Sequence, residues 1–196
     1  MDPPQDTVRN VKSAALKLLT MPPRSLVHIH VRKRSGTKTR GILRAGWATI
    51  PVSLGRTGIV TNKFEGDGGT PRGRFRLKRL WWRSDRLARP RTGLPVRPIG
   101  PADAWSEDPA DRRYNRPVRR KPGEPGDRLK RQDGLYDLIV EIDHNDRPRV
   151  AGRGSAVFIH VAREGFGPTA GCIGLRRNDL IRLMERLSPR TWIHIG

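Results

Sequence analysis

Cysteine is almost missing from this chain: Cys172 is the only one, so no intramolecular disulfide can brace the fold. Long hydrophobic runs are missing too. No stretch approaches the roughly 20 apolar residues that a membrane-spanning helix needs, and the longest runs, such as Ser155 to Val161, are strand-length. The chain is therefore not expected to span a membrane. No export signal is visible at the amino terminus. Val8, Val11, Ala15, Leu18 and Leu19 recur at helical spacing, but Lys12 and Lys17 interrupt any continuous apolar core. Zinc-ligand spacings are absent, and His28, His30, His144 and His194 form no ligand set with Cys172, so no metal site is expected. No run interleaves aromatics with basic residues, so specific nucleic-acid binding is not expected either.

Acidic residues are scarce. Nineteen Asp and Glu face 40 Lys and Arg, 32 of them Arg, leaving a net charge of +21. Such an excess favours anionic partners by long-range attraction, and phosphate polymers, lipid phosphates and peptide carboxylates all qualify. Charge alone names no substrate.

A length of 196 residues suits one domain with a proper core. Residues 1–25 read as a basic extension or helix, with helical spacing over 6–20 ended by Pro22-Pro23, and residues 26–196 as one catalytic domain. Strand signals begin at Leu26–Val31, then Ile42–Leu54 interrupted by Pro51, then Gly73–Lys78 after the tight turn Gly66-Asp67-Gly68-Gly69-Thr70-Pro71. Residues 83–132 hold eight of the 17 prolines and few apolar residues, so they read as a long excursion that cannot build a core alone. Trp105 and Tyr114-Asn115-Arg116-Pro117 are its expected anchoring points. Strands resume at Leu135–Ile142 and Ala156–Val161, the latter apolar on both faces and expected to be central. Asn178 is expected to cap a helix whose apolar face carries Leu180, Ile181, Leu183, Met184 and Leu187, with a last strand over Thr191–Ile195. The fold class expected is mainly β, a single sandwich or barrel with a few short helices.

The chemistry concentrates in Phe158-Ile159-His160 and, twelve residues on from His160, Cys172 within Thr169-Ala170-Gly171-Cys172-Ile173-Gly174. A thiol becomes a strong nucleophile as thiolate, and a neighbouring imidazole can take its proton. Gly171 leaves room beside the sulfur and lets backbone N–H groups converge as an oxyanion hole. A backbone carbonyl can orient the second imidazole nitrogen, so no carboxylate is required. The competing reading is plain packing: a lone cysteine beside Ile173 and Leu175 is often a small buried hydrophobe, and a histidine in an apolar strand is often a satisfied core residue.

The segment from His160 to Leu175 resembles the signature of the L,D-transpeptidase catalytic domain (the YkuD-type domain), in which a histidine precedes a Ser/Thr-x-Gly-Cys element. Thr70-Pro71-Arg72-Gly73-Arg74-Phe75 resembles that family's Thr-Pro-x-Gly-x-Phe turn and strand. Trp105-Ser106-Glu107-Asp108-Pro109, Tyr114-Asn115-Arg116-Pro117 and Gly152-Arg153-Gly154-Ser155-Ala156 resemble a compact bacterial branch. The resemblance implies Cys172 as nucleophile, His160 as base and Gly171 in the oxyanion hole. It also implies that Thr169, Gly154, Ser155, Tyr114, Asn115 and Arg116 contact substrate. The implied substrate is the peptidoglycan stem peptide, joined 3→3 with loss of D-Ala and without a cofactor; the resemblance implies the periplasm, while the lack of a visible export signal leaves a cytoplasmic location open. Water as acceptor would instead make an L,D-carboxypeptidase or wall amidase, and an inert thiol would leave a basic module that binds wall polymers or other polyanions. Gly174 and Ala170 depart from the family pattern, which often has Arg or Asn, and His, at those places.

Overall fold

The computed structural model describes residues 25–196, so the basic helix expected over 6–20 lies outside the described residues. Alternation of apolar and cationic residues builds most of the sheet, because successive side chains of a strand face opposite sides. In β1 (His28–Lys33), β2 (Arg40–Ala45) and β3 (Ala48–Ser53), Ile29, Val31, Leu43, Ala45, Ile50 and Val52 point inward while most of their neighbours meet solvent; Ser53, at the end of β3, is buried. The break expected at Pro51 lies instead at Gly46-Trp47, which joins β2 to β3. Pro51 sits within β3 opposite Ile42, at a point where β2 is the only paired neighbour. A missing N–H is tolerated there, as on an edge strand.

β4 (Ile59–Val60) and β5 (Thr70–Pro71) pair in parallel around the glycine-rich turn. β6 (Gly73–Trp82) is the long strand of the fold. The excursion is ordered. It contributes β7 (Val96–Pro98), which pairs with β6, and the three strands β8 (Asp103–Trp105), β9 (Pro117–Arg119) and β10 (Asp127–Arg128), which form their own small sheet. After it come β11 (Leu138–Ile142), β12 (Phe158–Val161), β13 (Ile173–Leu175), α1 (Arg177–Met184) and β14 (Trp192–Ile195).

The main sheet runs β11-β12-β13-β3-β2-β1-β14-β6. β6 pairs with both ends of this run, with β14 along Gly73–Arg76 and with β11 along Leu77–Trp82, and so closes it into a barrel. The fold is thus mainly β, as the alternating pattern predicts. β12 is central, flanked by β11 and β13. Asn178 lies inside α1 rather than capping it; the cap position is Arg176, with no side-chain cap. Leu180, Leu183, Met184 and Leu187 are buried, each worth roughly 1.5–3 kcal/mol on full burial, while Ile181 is exposed.

Two apolar clusters result. The larger fills the barrel, with Leu43, Leu54, Leu80, Leu138, Ile159 and Ile193 fully buried. The smaller lies between barrel wall and excursion, where Ile99, Trp105 and Leu129 of the excursion pack on Trp81, Ile139, Phe158 and Cys172. The excursion cannot form a core alone, but it completes one against the barrel, and that core contains the cysteine.

Candidate active site

Parallel pairing of β12 with β13 sets Ile159 opposite Ile173 and His160 opposite Gly174. Ile159, Val161, Ile173 and Leu175 belong to the barrel core, so Phe158, His160 and Cys172 face the excursion. His160 and Cys172 line one cavity of about 190 Å³ together with Glu107, Asp127, Tyr136 and Thr169. A second cavity of about 350 Å³ also touches Cys172 and adds Lys63, Glu65, Ser155 and Gly171. The cysteine stands where the two meet.

His160 is buried, and its Nδ1 lies 2.8 Å from the Val161 carbonyl oxygen. A carbonyl only accepts, so Nδ1 carries the proton and Nε2 of the neutral ring keeps its lone pair. Tyr136 packs edge-on to the ring at 5.3 Å and donates its hydroxyl to Asp127 Oδ2 at 2.7 Å. Burial lowers the imidazole to about 4. Cys172 is buried as well; its thiol donates to the Ala156 carbonyl at 3.1 Å, and burial pushes it up to about 12. The resting pair is therefore a neutral thiol and a neutral imidazole, not an ion pair.

The cysteine loop is clasped by Thr169. Its hydroxyl donates to Cys172 O at 2.6 Å and accepts from Gly171 N at 3.1 Å, while Thr169 N reaches Leu54 O and Thr169 O holds Arg56 N, each at 2.9 Å. That hydroxyl is spent on orienting the loop, as is the Gly171 N–H. Gly171 has φ of +143°, and a Cβ there would lie 2.7 Å from Gly69 O. Its smallness serves the close approach of the glycine-rich turn, so the two sequence motifs meet at this point.

The other residues implied by resemblance are distributed differently. Ser155 lines the larger cavity with its buried Oγ unpartnered. Gly154 packs beside Lys63 and His144, and neither it nor Tyr114, Asn115 or Arg116 lines a cavity at Cys172. Tyr114 hydrogen-bonds Glu65, and Arg116 lines a separate recess with Lys78 and Glu141. Asn115 is buried and saturated. Its Oδ1 accepts from Trp105 Nε1 at 2.9 Å and Ala156 N at 3.2 Å, and its Nδ2 donates to the carbonyls of His144 and Asn145. It fixes Ala156, a residue at φ +50° whose carbonyl receives the thiol.

Glu107, Asp127, Tyr136, Lys63 and Ala156 are site residues that sequence reasoning missed. Tyr136 and Lys63 are buried, a context that only the fold supplies. Glu107 is exposed by area, yet its carboxyl lies within the cleft, where desolvation, Asp127 and Glu65 raise it to about 7. Among the described residues, no group of three or more His, Cys, Asp or Glu is arranged to hold a metal ion.

A family profile for the L,D-transpeptidase catalytic domain (YkuD) matches residues 27–195, which include every barrel strand and the cavities around Cys172. The chain belongs to that family. Its members act on peptidoglycan. Comparisons with curated proteins and with solved structures find no match. No helix of this L,D-transpeptidase family member is long and apolar enough to cross a membrane among the described residues.

Proposed function

We propose that the protein is an L,D-transpeptidase that forms 3→3 cross-links between peptidoglycan stem peptides through a Cys172 thioester. The observation that carries this reading is the position of Cys172 at the junction of two cavities, one of them shared with His160. The two cavities adjoin along Glu107, Asp127, Tyr136 and Ala170, and together leave room at the sulfur for a donor and an amine acceptor.

His160 Nε2 takes the thiol proton as sulfur attacks the carbonyl of the third stem residue. The tetrahedral intermediate places negative charge on the carbonyl oxygen. The Gly171 N–H is held by Thr169, so in this reading the Cys172 N–H donates to that oxygen. Collapse expels D-Ala, whose nitrogen receives the proton from His160. The side-chain amine of a second stem then attacks the thioester, gives up a proton to His160, and releases Cys172 as thiol. Coupling deprotonation to attack fits a neutral resting thiol, because the thiolate is needed only in the transition state. The reading places this activity in the periplasm.

Incubation with tetrapeptide muropeptides, followed by chromatography of the products, tests the proposal. Cross-linked dimer with one D-Ala released per bond supports it. Free tripeptide without dimer would assign the enzyme to hydrolysis.

A further inference from the structure

Acidic residues are absent from residue 7 to residue 64, a stretch that carries twelve Lys and Arg. The fold sets the β1 and β2 part of this stretch beside β14 and the start of β6, strands that carry no carboxylate either. Register arranges their outward side chains in rows. Arg74, His194, His30 and Arg44 stand side by side across four strands, with Arg76, Trp192 and His28 in the row beyond. Four strands at their usual spacing make a face about 19 Å across.

Carboxylates hold six of the twelve arginines of the excursion, residues 83–132. Arg97 pairs with Asp103, Arg120 with Asp111 and Arg131 with Asp133, whereas Arg32, Arg44, Arg74 and Arg76 make no ion pair among the described residues. The rings of this face are engaged. The guanidinium carbons of Arg74 and Arg76 lie 4.5 and 4.3 Å from the Trp192 ring centre, and His30 stacks on His194 at 4.6 Å. Rings engaged in this way hold guanidinium groups in place.

At one end of the face, Trp47 forms the tip of the β2–β3 turn and is 90% exposed. Leu26 lies against neighbouring Gly46, which brings Val27, 57% exposed, to the same end. Arginines facing lipid phosphates, with an indole at the headgroup boundary, are the means by which proteins settle on membrane surfaces. We infer that this face docks onto an anionic phospholipid bilayer, with Arg44, Arg74 and Arg76 on lipid phosphates and Trp47 entering the interface. A soluble phosphate polymer would satisfy the arginines but leave the indole in water.

The full chain is tested by flotation with phosphatidylcholine vesicles containing about 30% phosphatidylglycerol, enough for a negative surface potential. It should bind these and not pure phosphatidylcholine, and high salt should release it. Brominated lipid should quench a fluorescence component that Trp47→Ala removes. Reversing three surface charges (Arg44→Glu, Arg74→Glu, Arg76→Glu) should weaken binding by about a hundredfold or more, with the thermal unfolding profile confirming a folded variant. Vesicle binding that the triple variant retains would overturn the inference. So would binding to soluble polyphosphate, indifferent to Trp47→Ala, with no vesicle binding.

Discussion

The thiol of Cys172 donates to the Ala156 carbonyl oxygen at 3.1 Å, while the His160 imidazole is anchored through Nδ1 on Val161 O at 2.8 Å. Thiol and imidazole thus share a cavity without sharing a proton at rest. With the thiol near 12 and the imidazole near 4, free enzyme should react slowly with iodoacetamide at pH 7 and faster as pH rises above 9. His160→Ala should change that resting alkylation little, yet lower turnover by about a hundredfold or more. Intact-mass alkylation rates and product formation measure the two effects separately. Rapid alkylation at pH 7 that His160→Ala abolishes would show a preformed ion pair instead.

Asn115 supports the thiol from a distance. Asn115→Ala strands the Trp105 indole N–H and the Ala156 N–H, and replaces a residue at φ +54° with one less suited to it. The expected cost is about 2–4 kcal/mol of stability, read by thermal unfolding, with impaired turnover in whatever fraction remains folded.

Acid should unfold the protein early, because two histidines are held neutral. Burial lowers His144 and His160 to about 4 from an ordinary 6.5. The unfolded chain therefore binds protons that the fold does not. Their contribution, on the order of 5 kcal/mol together, is intact above pH 6.5 and lost as pH falls to 4. Glu107 has the opposite sign. Its carboxyl is raised from 4.5 to about 7, so the fold holds that proton, and stability from this group grows as pH falls between 7 and 4.5. Glu107→Gln removes the offset and should steepen the loss of Tm on acidification. A Tm unchanged between pH 7.5 and 4.5 would contradict the assignment of both histidines.

Gly174 departs from the pattern resembled because there is no room beside it. A Cβ at 174 would lie 2.3 Å from Ser53 Oγ and 3.1 Å from Ala162 Cα. Ser53 Oγ itself is buried without a partner. Gly174→Ala should cost about 1–3 kcal/mol by overpacking, and Ser53→Gly should recover much of it. Denaturant unfolding of the single and double variants measures the coupling.

The strands of the barrel were legible where β-branched residues cluster, as in Leu26–Val31, and where apolar and cationic residues alternate, as in Gly73–Lys78. The boundary at Ala156 was not. A non-glycine residue at positive φ gives no local signal, and β12 therefore starts at Phe158 instead of Ala156. The cap expected at Asn178 lies two residues inside the helix, whose cap position is Arg176; local propensity did not fix that boundary. Cys172 and His160 stood out as residue types at a spacing, whereas Glu107, Asp127 and Tyr136 reach the site through β8, β10 and the start of β11. Those placements depend on how the proline-rich excursion packs on Trp81 and Phe158, contacts between residues far apart in the chain.

The most direct test of the central claim is intact-protein mass spectrometry after mixing enzyme with a tetrapeptide muropeptide, alongside Cys172→Ala. The account predicts an adduct equal to the donor minus D-Ala on the wild-type protein and none on the variant. Cross-linked product formed by folded Cys172→Ala, or product formed by the wild type without any adduct on Cys172 even under rapid quench, would contradict it.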